Sequence, residues 1–275
     1  MKIRAIIALS LLCSVGAAPL LEAKISKSSH QNVSIPEGPK IKVLLAKDVG
    51  SVLLEVKGGY RVIRKDTGSV LSQGSMGKRF VVHALQKGLR WGEEFPDVYQ
   101  ISVLPKDSKT SIYVNGIQYK GGVSVYHVHD NQITVVNEVL IEDFIKSTLA
   151  LEFGSPLAKE AMAALAIAAR TEAYSLVMSG RVTPRPWDTT VAESKYYGYA
   201  VTRHPNEADK AVEATRFMVM ESTKDGKVAQ HVSLSAIQAE EFAKKNWNAK
   251  TILQKSFPNT RLGITIGTDE VAVLK

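Results

Sequence analysis

The stretch LALEFGSPLAKEAMAALAIAARTEAY (149–174) carries one acid, Glu152, at the end of an apolar run. A general acid must lie against its substrate and hold a proton at working pH. Leu149, Leu151 and Phe153 favour the protonated form by desolvation, whereas a helix start just downstream favours the ionised form. The two effects oppose, and a solvent-exposed acid held near a helix start by the dipole is the alternative reading. Hydrolysis by paired carboxylates needs a second acid. Glu142-Asp143 is the pair at hand, although a solvated helix face accounts for it equally. Chemistry that uses the substrate's own hydroxyl as nucleophile needs one acid alone.

Other constellations are weaker. His127 and His129 lie two apart on an expected strand and share a face, a geometry that can hold zinc. No third ligand accompanies them, structural histidines are the alternative, and no metal or other cofactor is expected. His231-Val232-Ser233-Leu234-Ser235 offers a histidine and hydroxyls without a GxSxG elbow. No phosphate loop, dinucleotide fingerprint or HExxH occurs.

Several elements must position these groups. Lys2 and Arg4 precede an uncharged run, Ala5 to Leu21, with small residues at Gly16-Ala17-Ala18 and Ala23. Residues 1–23 therefore read as a signal peptide, an uncleaved anchor being the alternative. The only cysteine, Cys13, lies inside this leader behind Leu12, where a lipoprotein signal would place a small residue. A mature chain then lacks cysteine, which excludes disulfides and Cys-based metal sites. No later stretch is expected to be long enough and apolar enough to cross a bilayer. The net charge is +8, and cleavage after Ala23 leaves +7. An exported basic chain favours anionic polymers or surfaces, with wall glycans ahead of nucleic acid.

Residues 24–39 read as a flexible lead-in and 40–136 as a β-rich part. KIKVLLA, SVLLEVK, YRVIRK, RFVVHA, VYQISVLP, SIYVN, VSVYHVH and QITVVN predict strands, and Asn115-Gly116 predicts a hairpin. From Asn137 the apolar spacing turns helical through Val139, Ile141, Phe144, Ile145 and Leu149. Ser155 as N-cap with Pro156 behind it starts a second helix, with Leu157, Ala161, Ala164, Leu165 and Ala168 on its apolar face. Residues 180–205 read as irregular, 206–216 as a short helix, FMVMES and KVAQHVS as a strand pair, and 236–247 as a helix. The class is α+β, with 40–136 β-rich and 137–275 carrying the helices.

The run from Val136 to Ser175 resembles the SpoIID/LytB family, named for a sporulation protein that remodels peptidoglycan. Val136-Asn137 through Glu142-Asp143-Phe144-Ile145 matches its "VN…EDYL" segment. Glu152-Phe153-Gly154 matches "E-M-P", with Pro156 slightly later. Glu160-Ala161, Ala164, Ala166 and Ala168-Ala169-Arg170-Thr171 match its Ala-rich "AART" helix. Tyr119-Lys120-Gly121, Trp187-Asp188-Thr189-Thr190, Ser194-Lys195-Tyr196-Tyr197-Gly198 and Ala211-Val212-Glu213-Ala214-Thr215-Arg216 give further matches, so the likeness covers about 120–230. Ser194 and Glu172 depart from the family's Gln and Tyr, and His231–Ile237 lacks its Gly-Gly loop.

The resemblance implies an exported lytic transglycosylase, periplasmic or envelope-associated, that cleaves peptide-free glycan strands to 1,6-anhydromuramic acid ends. It implies Glu152 as the catalytic acid. Arg170, Lys195 and Arg216 become candidate contacts for the lactyl carboxylate, and Tyr196 and Trp187 candidate stacking partners for sugar rings. Peptidoglycan glycan strands are the expected partner, with an N-acetylmuramoyl-L-alanine amidase as a second. A non-catalytic wall-binding protein or amidase modifier on the same scaffold is the rival reading.

Overall fold

The computed structural model describes residues 38–152, 157–180, 185–199, 207–266 and 270–273. The leader, Cys13 and residues 24–37 of the lead-in lie outside them. The first hundred described residues are strand and turn apart from one 3-10 turn at His129–Asn131. They form β1 (Lys40–Val49), β2 (Ser51–Lys57), β3 (Tyr60–Arg64), β4 (Val70–Gly74), β5 (Lys78–Leu85) and β6 (Gly88–Trp91). The series continues through β7 (Glu93–Pro96), β8 (Gln100–Pro105), β9 (Ser111–Val114), β10 (Ile117–Tyr119), β11 (Gly122–His127) and β12 (Ile133–Leu140). Alternation drives it: in β2, Val52, Leu54 and Val56 are buried while Ser51 and Lys57 face water. Asn115 and Gly116, at φ 50° and 82°, supply the two left-handed residues that a two-residue hairpin needs between β9 and β10.

The helical part follows as α1 (Ile141–Glu152), α2 (Lys159–Gly180), β13 (Thr189–Thr190), α3 (Val191–Ser194) and α4 (Glu207–Ala214). It closes with β14 (Met218–Ser222), α5 (Ala236–Lys244), α6 (Ala249–Ser256), β15 (Thr260–Ile266) and β16 (Glu270–Val273). The fold is α+β, as its sequence predicts. Seven strands form one sheet in the order β13-β1-β12-β11-β8-β3-β4, six a second in the order β10-β9-β2-β5-β6-β7, and three a third, β14-β15-β16. One continuous apolar core joins residues of both large sheets to α1, α2, α4, α5 and α6. The buried Trp91 links the two large sheets, donating from Nε1 to the Leu54 carbonyl at 3.0 Å and meeting Tyr60 edge-on.

Several expectations are corrected. The sheet continues past Asn137 because Lys40 to Val43 of β1 pair with Leu140 to Asn137, so α1 begins only at Ile141. Leu157 and Ala158 are not helical and α2 starts at Lys159, because the Glu240 carboxylate accepts the Ala158 N–H at 2.8 Å and sets that end. Ser155 and Pro156 lie outside the described residues. KVAQHVS makes only an isolated bridge, Glu221 to Val228, on one edge of β14, while the distant β15 pairs along the other edge. His129 leaves the strand for a short 3-10 turn, so it does not share a strand face with His127. One later stretch, Lys159–Ser179, does have the length and hydropathy of a membrane span. Most of it is buried, with Ala161, Ala164, Leu165 and Ala168 packed into the core.

Candidate functional site

The matched segments converge on two buried hubs. At the first, the Asn137 side chain donates to the carbonyls of Lys120 and Gly122 at 2.9 and 2.8 Å. Its oxygen accepts the Tyr196 hydroxyl at 3.0 Å. Tyr119-Lys120-Gly121, Val136-Asn137 and Tyr196-Tyr197-Gly198 are thus stitched at one point, with both amide N–H groups and the amide oxygen engaged. Gly121 is required there: its φ is 73°, and a Cβ would lie 2.1 Å from the Glu138 carbonyl oxygen.

The second hub is Arg170, which is fully buried. Its Nε and one terminal nitrogen clasp both oxygens of Glu142 at 2.8 Å. The same nitrogen reaches the Val212 carbonyl at 3.0 Å, and the other donates to the Met218 carbonyl and the Thr215 hydroxyl at 3.1 and 3.3 Å. All five guanidinium donors are committed. The neighbouring Thr171 hydroxyl donates to Ile167 and accepts the Met220 N–H, tying α2 to β14. The "ED", "AART" and "AV…T" segments therefore serve one internal ion pair.

These hubs correct two expected substrate contacts. Arg170 has neither exposure nor a spare donor for a lactyl carboxylate. Tyr196 is fully buried between Tyr119 and Phe144, with ring centroids 5.8 and 5.3 Å away, so neither face is open to a sugar. Burial also pushes its hydroxyl pKa up. Trp187 is half-buried against Leu44, Tyr126 and Val136. Lys195 is exposed and ends α3 in a left-handed turn with φ 55°. Arg216 is partly exposed, lies 3.9 Å from Glu213 and sits over the Phe217 ring.

Arg216 also lines a cavity of about 110 Å³ beside Glu142, Asp143, Lys146 and Glu213. Burial raises the Asp143 pKa against the pull of Lys146 and Lys120. The Lys146 ammonium bonded to Glu213 holds that acid below its usual range. Ligand pockets usually run from about 300 Å³ upward, so this cavity is too small for a sugar ring.

Glu152 is the last residue of α1, and its side chain lies outside what is described. Ten residues at 1.5 Å each put it roughly 15 Å along α1 from Glu142. Arg170 lies level with Glu142, and Lys159 is roughly 16 Å back along α2. A parallel arrangement would separate Glu152 from Lys159 by roughly 30 Å, more than the ~25 Å that seven residues can span. The two helices are therefore antiparallel, and the end of α1 shares a side with the head of α2.

Sequence reasoning missed what lies at that head. Ala158, Lys159 and Glu160 line an open groove of about 360 Å³ with Ala243 at the end of α5 and Asn246, Trp247 and Asn248 from the α5–α6 turn. Asn248 caps α6, its Oδ1 accepting the Thr251 N–H at 2.8 Å. The available signal was Asn246-Trp247-Asn248, an aromatic residue between two polar amides in a lysine-rich turn. Among the described residues no group of three or more His, Asp or Glu side chains could hold a metal ion.

A sequence profile described as SpoIID, stage II sporulation protein, matches residues 129–221, from the turn before β12 to β14. A protein of Chlamydia muridarum is 34% identical over 95% of this chain and 89% of its own length. The chain belongs to the SpoIID family. A Chlamydia pneumoniae protein is 33% identical over 94% of the chain and 93% of its own length. A Brachyspira hyodysenteriae protein is 28% identical over 65% of the chain, which spans 47% of that relative. None of the three carries a name that states an activity. No solved structure matches the chain. Both hubs are built largely inside the SpoIID match, which gives the chain a cell-wall-related function.

Proposed function

We propose that this SpoIID-family protein is an exported lytic transglycosylase acting on peptide-free glycan strands, with Glu152 as acid and then base. The observation that carries this reading is the way the signature divides. Asn137, Glu142, Arg170, Thr171, Tyr196, Val212 and Thr215 are committed to one another or to nearby backbone. Both hubs are filled without Glu152, the acid at the far end of the same helix.

The reaction needs one carboxyl group. Glu152 gives its proton to the glycosidic oxygen as the bond from muramic C1 breaks. The 6-hydroxyl oxygen of that sugar bonds to C1, and its proton returns to the Glu152 carboxylate. No water is consumed, and the product is a 1,6-anhydro ring. Single-acid chemistry is supported by the fate of the other carboxylates. Glu142 is clasped by Arg170 roughly 15 Å away along α1, beyond the ~5–9.5 Å that separates paired glycosidase acids. Glu160 and Glu240, at the head of α2, each accept a backbone N–H at a helix start.

The test is Glu152→Gln on purified denuded glycan, read by mass spectrometry of released fragments. Wild type is expected to yield anhydro ends and the variant none, with binding and folding retained. Equal product from both would overturn the assignment. Reducing ends as the main product would indicate a hydrolase, and no product from either a wall-binding protein.

A further inference from the structure

We propose that the groove between the head of α2 and the α5–α6 turn is a glycan subsite, with the indole of Trp247 as platform for an N-acetylhexosamine ring of the strand. The inference rests on the transglycosylase reading only for the choice of ligand. Its volume of about 360 Å³ is enough for a sugar, unlike the cavity beside Arg216. Trp247 is half-buried, and Phe242 backs it in a stacked pair with centroids 4.7 Å apart. Lys245 lies near both rings, 6.0 Å from Trp247 and 5.6 Å from Phe242. An aromatic face supported from behind and bordering an open groove can meet the apolar C–H face of a pyranose with little loss of side-chain entropy.

The polar rim suits the same ligand. Asn246, held at φ 61°, and Asn248 flank the ring. The Asn248 oxygen is taken by Thr251, which leaves its amide N–H groups as donors for a hydroxyl or acetamido oxygen. Lys159 on the opposite wall supplies a positive charge where a lactyl carboxylate would lie.

The walls are locked to each other before any ligand arrives. Glu240 of α5 accepts the Ala158 N–H ahead of α2, and Glu160 of α2 accepts the Ala249 N–H at the start of α6, both at 2.8 Å. Each helix pair caps the other, so the turn bearing Trp247 cannot shift without breaking a cap. The groove also shares its end of the helical hairpin with Glu152. Five residues separate Glu152 from Ala158, so their Cα atoms lie within about 22 Å, a distance that one bound strand can bridge.

The experiment measures binding by calorimetry in the Glu152→Gln protein, where the ligand stays intact. The probes are tetra-N-acetylchitotetraose, which has no carboxylate, and denuded peptidoglycan strands. Trp247→Ala is expected to weaken both by about tenfold or more, as for a buried aromatic anchor, and Trp247→Phe by only a few-fold. Lys159→Gln is expected to weaken the muramic-acid-containing strands alone. Thermal melts of Trp247→Phe and Lys159→Gln keep the test readable if Trp247→Ala loses the support of Phe242. Unchanged affinity in Trp247→Ala, or equal loss with both probes in Lys159→Gln, overturns the subsite or its charge reading respectively. If Glu152→Gln abolishes cleavage while Trp247→Ala binds normally, the enzyme reading stands and the subsite falls. If Trp247 governs binding but wild type makes no anhydro ends, the subsite stands and the enzyme reading falls.

Discussion

Glu142 and Arg170 form a two-pronged ion pair, both bonds 2.8 Å, between the first turn of α1 and the middle of α2. The arginine is wholly buried and the glutamate side chain nearly so. The pair is therefore a fixed joint between the two helices, and its loss should act on folding before it acts on any substrate.

Arg170→Ala should lower stability by about 3–5 kcal/mol, because it strands a buried carboxylate and opens a cavity. Glu142→Gln should also destabilise, since its amide keeps one accepting oxygen but sets an N–H against an arginine donor and leaves the buried cation unpaired. Urea unfolding measures both. A specific rise in KM with unchanged stability would contradict the structural role.

Asn137→Ala should cost about 2–4 kcal/mol, since it leaves two carbonyls and a buried hydroxyl without their partner. Tyr196→Phe removes one of those bonds and should cost about 1 kcal/mol. Glycan binding by a folded Tyr196→Phe protein should equal that of wild type in calorimetry.

Asp143 predicts a pH signature. Burial raises its folded pKa above 3.8, so the folded state holds this proton more tightly than the unfolded state. Its contribution to stability is present below the unfolded value and is lost as pH rises through the folded one. Asp143→Asn should thus gain stability relative to wild type at neutral pH, and the gain should fade as pH falls toward 3.8. Melting curves of both proteins across acid and neutral pH check the sign.

Gly121→Ala combines a left-handed backbone at φ 73° with a Cβ 2.1 Å from a carbonyl oxygen. The strain alone is worth about 1–3 kcal/mol, and the backbone clash adds to it. Soluble yield and melting temperature should both drop, whereas Gly116→Ala, with open space around its Cβ, should cost less.

Much of the sheet was legible because its signals are local. SVLLEVK shows its buried face by alternation alone, and Asn115-Gly116 announces its turn. β4, β6 and β7 were missed because they are short and weakly patterned; β4 is placed by β3, β6 by β5 and β7 by β6. KVAQHVS has strand composition, but it makes only one bridge, at Glu221, on one edge of β14, while the distant β15 pairs along the other. The site divides in the same way. Glu142, Arg170, Asn137 and Tyr196 were visible as signature residues, yet their roles depend on carbonyls of Val212, Met218 and Lys120 that no side-chain pattern records. Trp247 was passed over because its groove exists only once two helix starts are capped from distant elements.

The apolar length of α2 bears on how the chain travels. A polypeptide threaded through a translocon presents each segment to lipid before any core exists to receive it. If the chain is exported as proposed, Lys159–Ser179 has the length and composition of a segment that could partition sideways. Arg170 stands near its midpoint, where a cation opposes insertion by about 2.5–3.5 kcal/mol. On the proposed export route, the residue that later bolts α2 to α1 would also act as a release signal, keeping the helix moving until Glu142 can take up its charge. An Arg170→Leu chain should be retained in the membrane fraction after alkaline extraction, a sorting error distinct from misfolding.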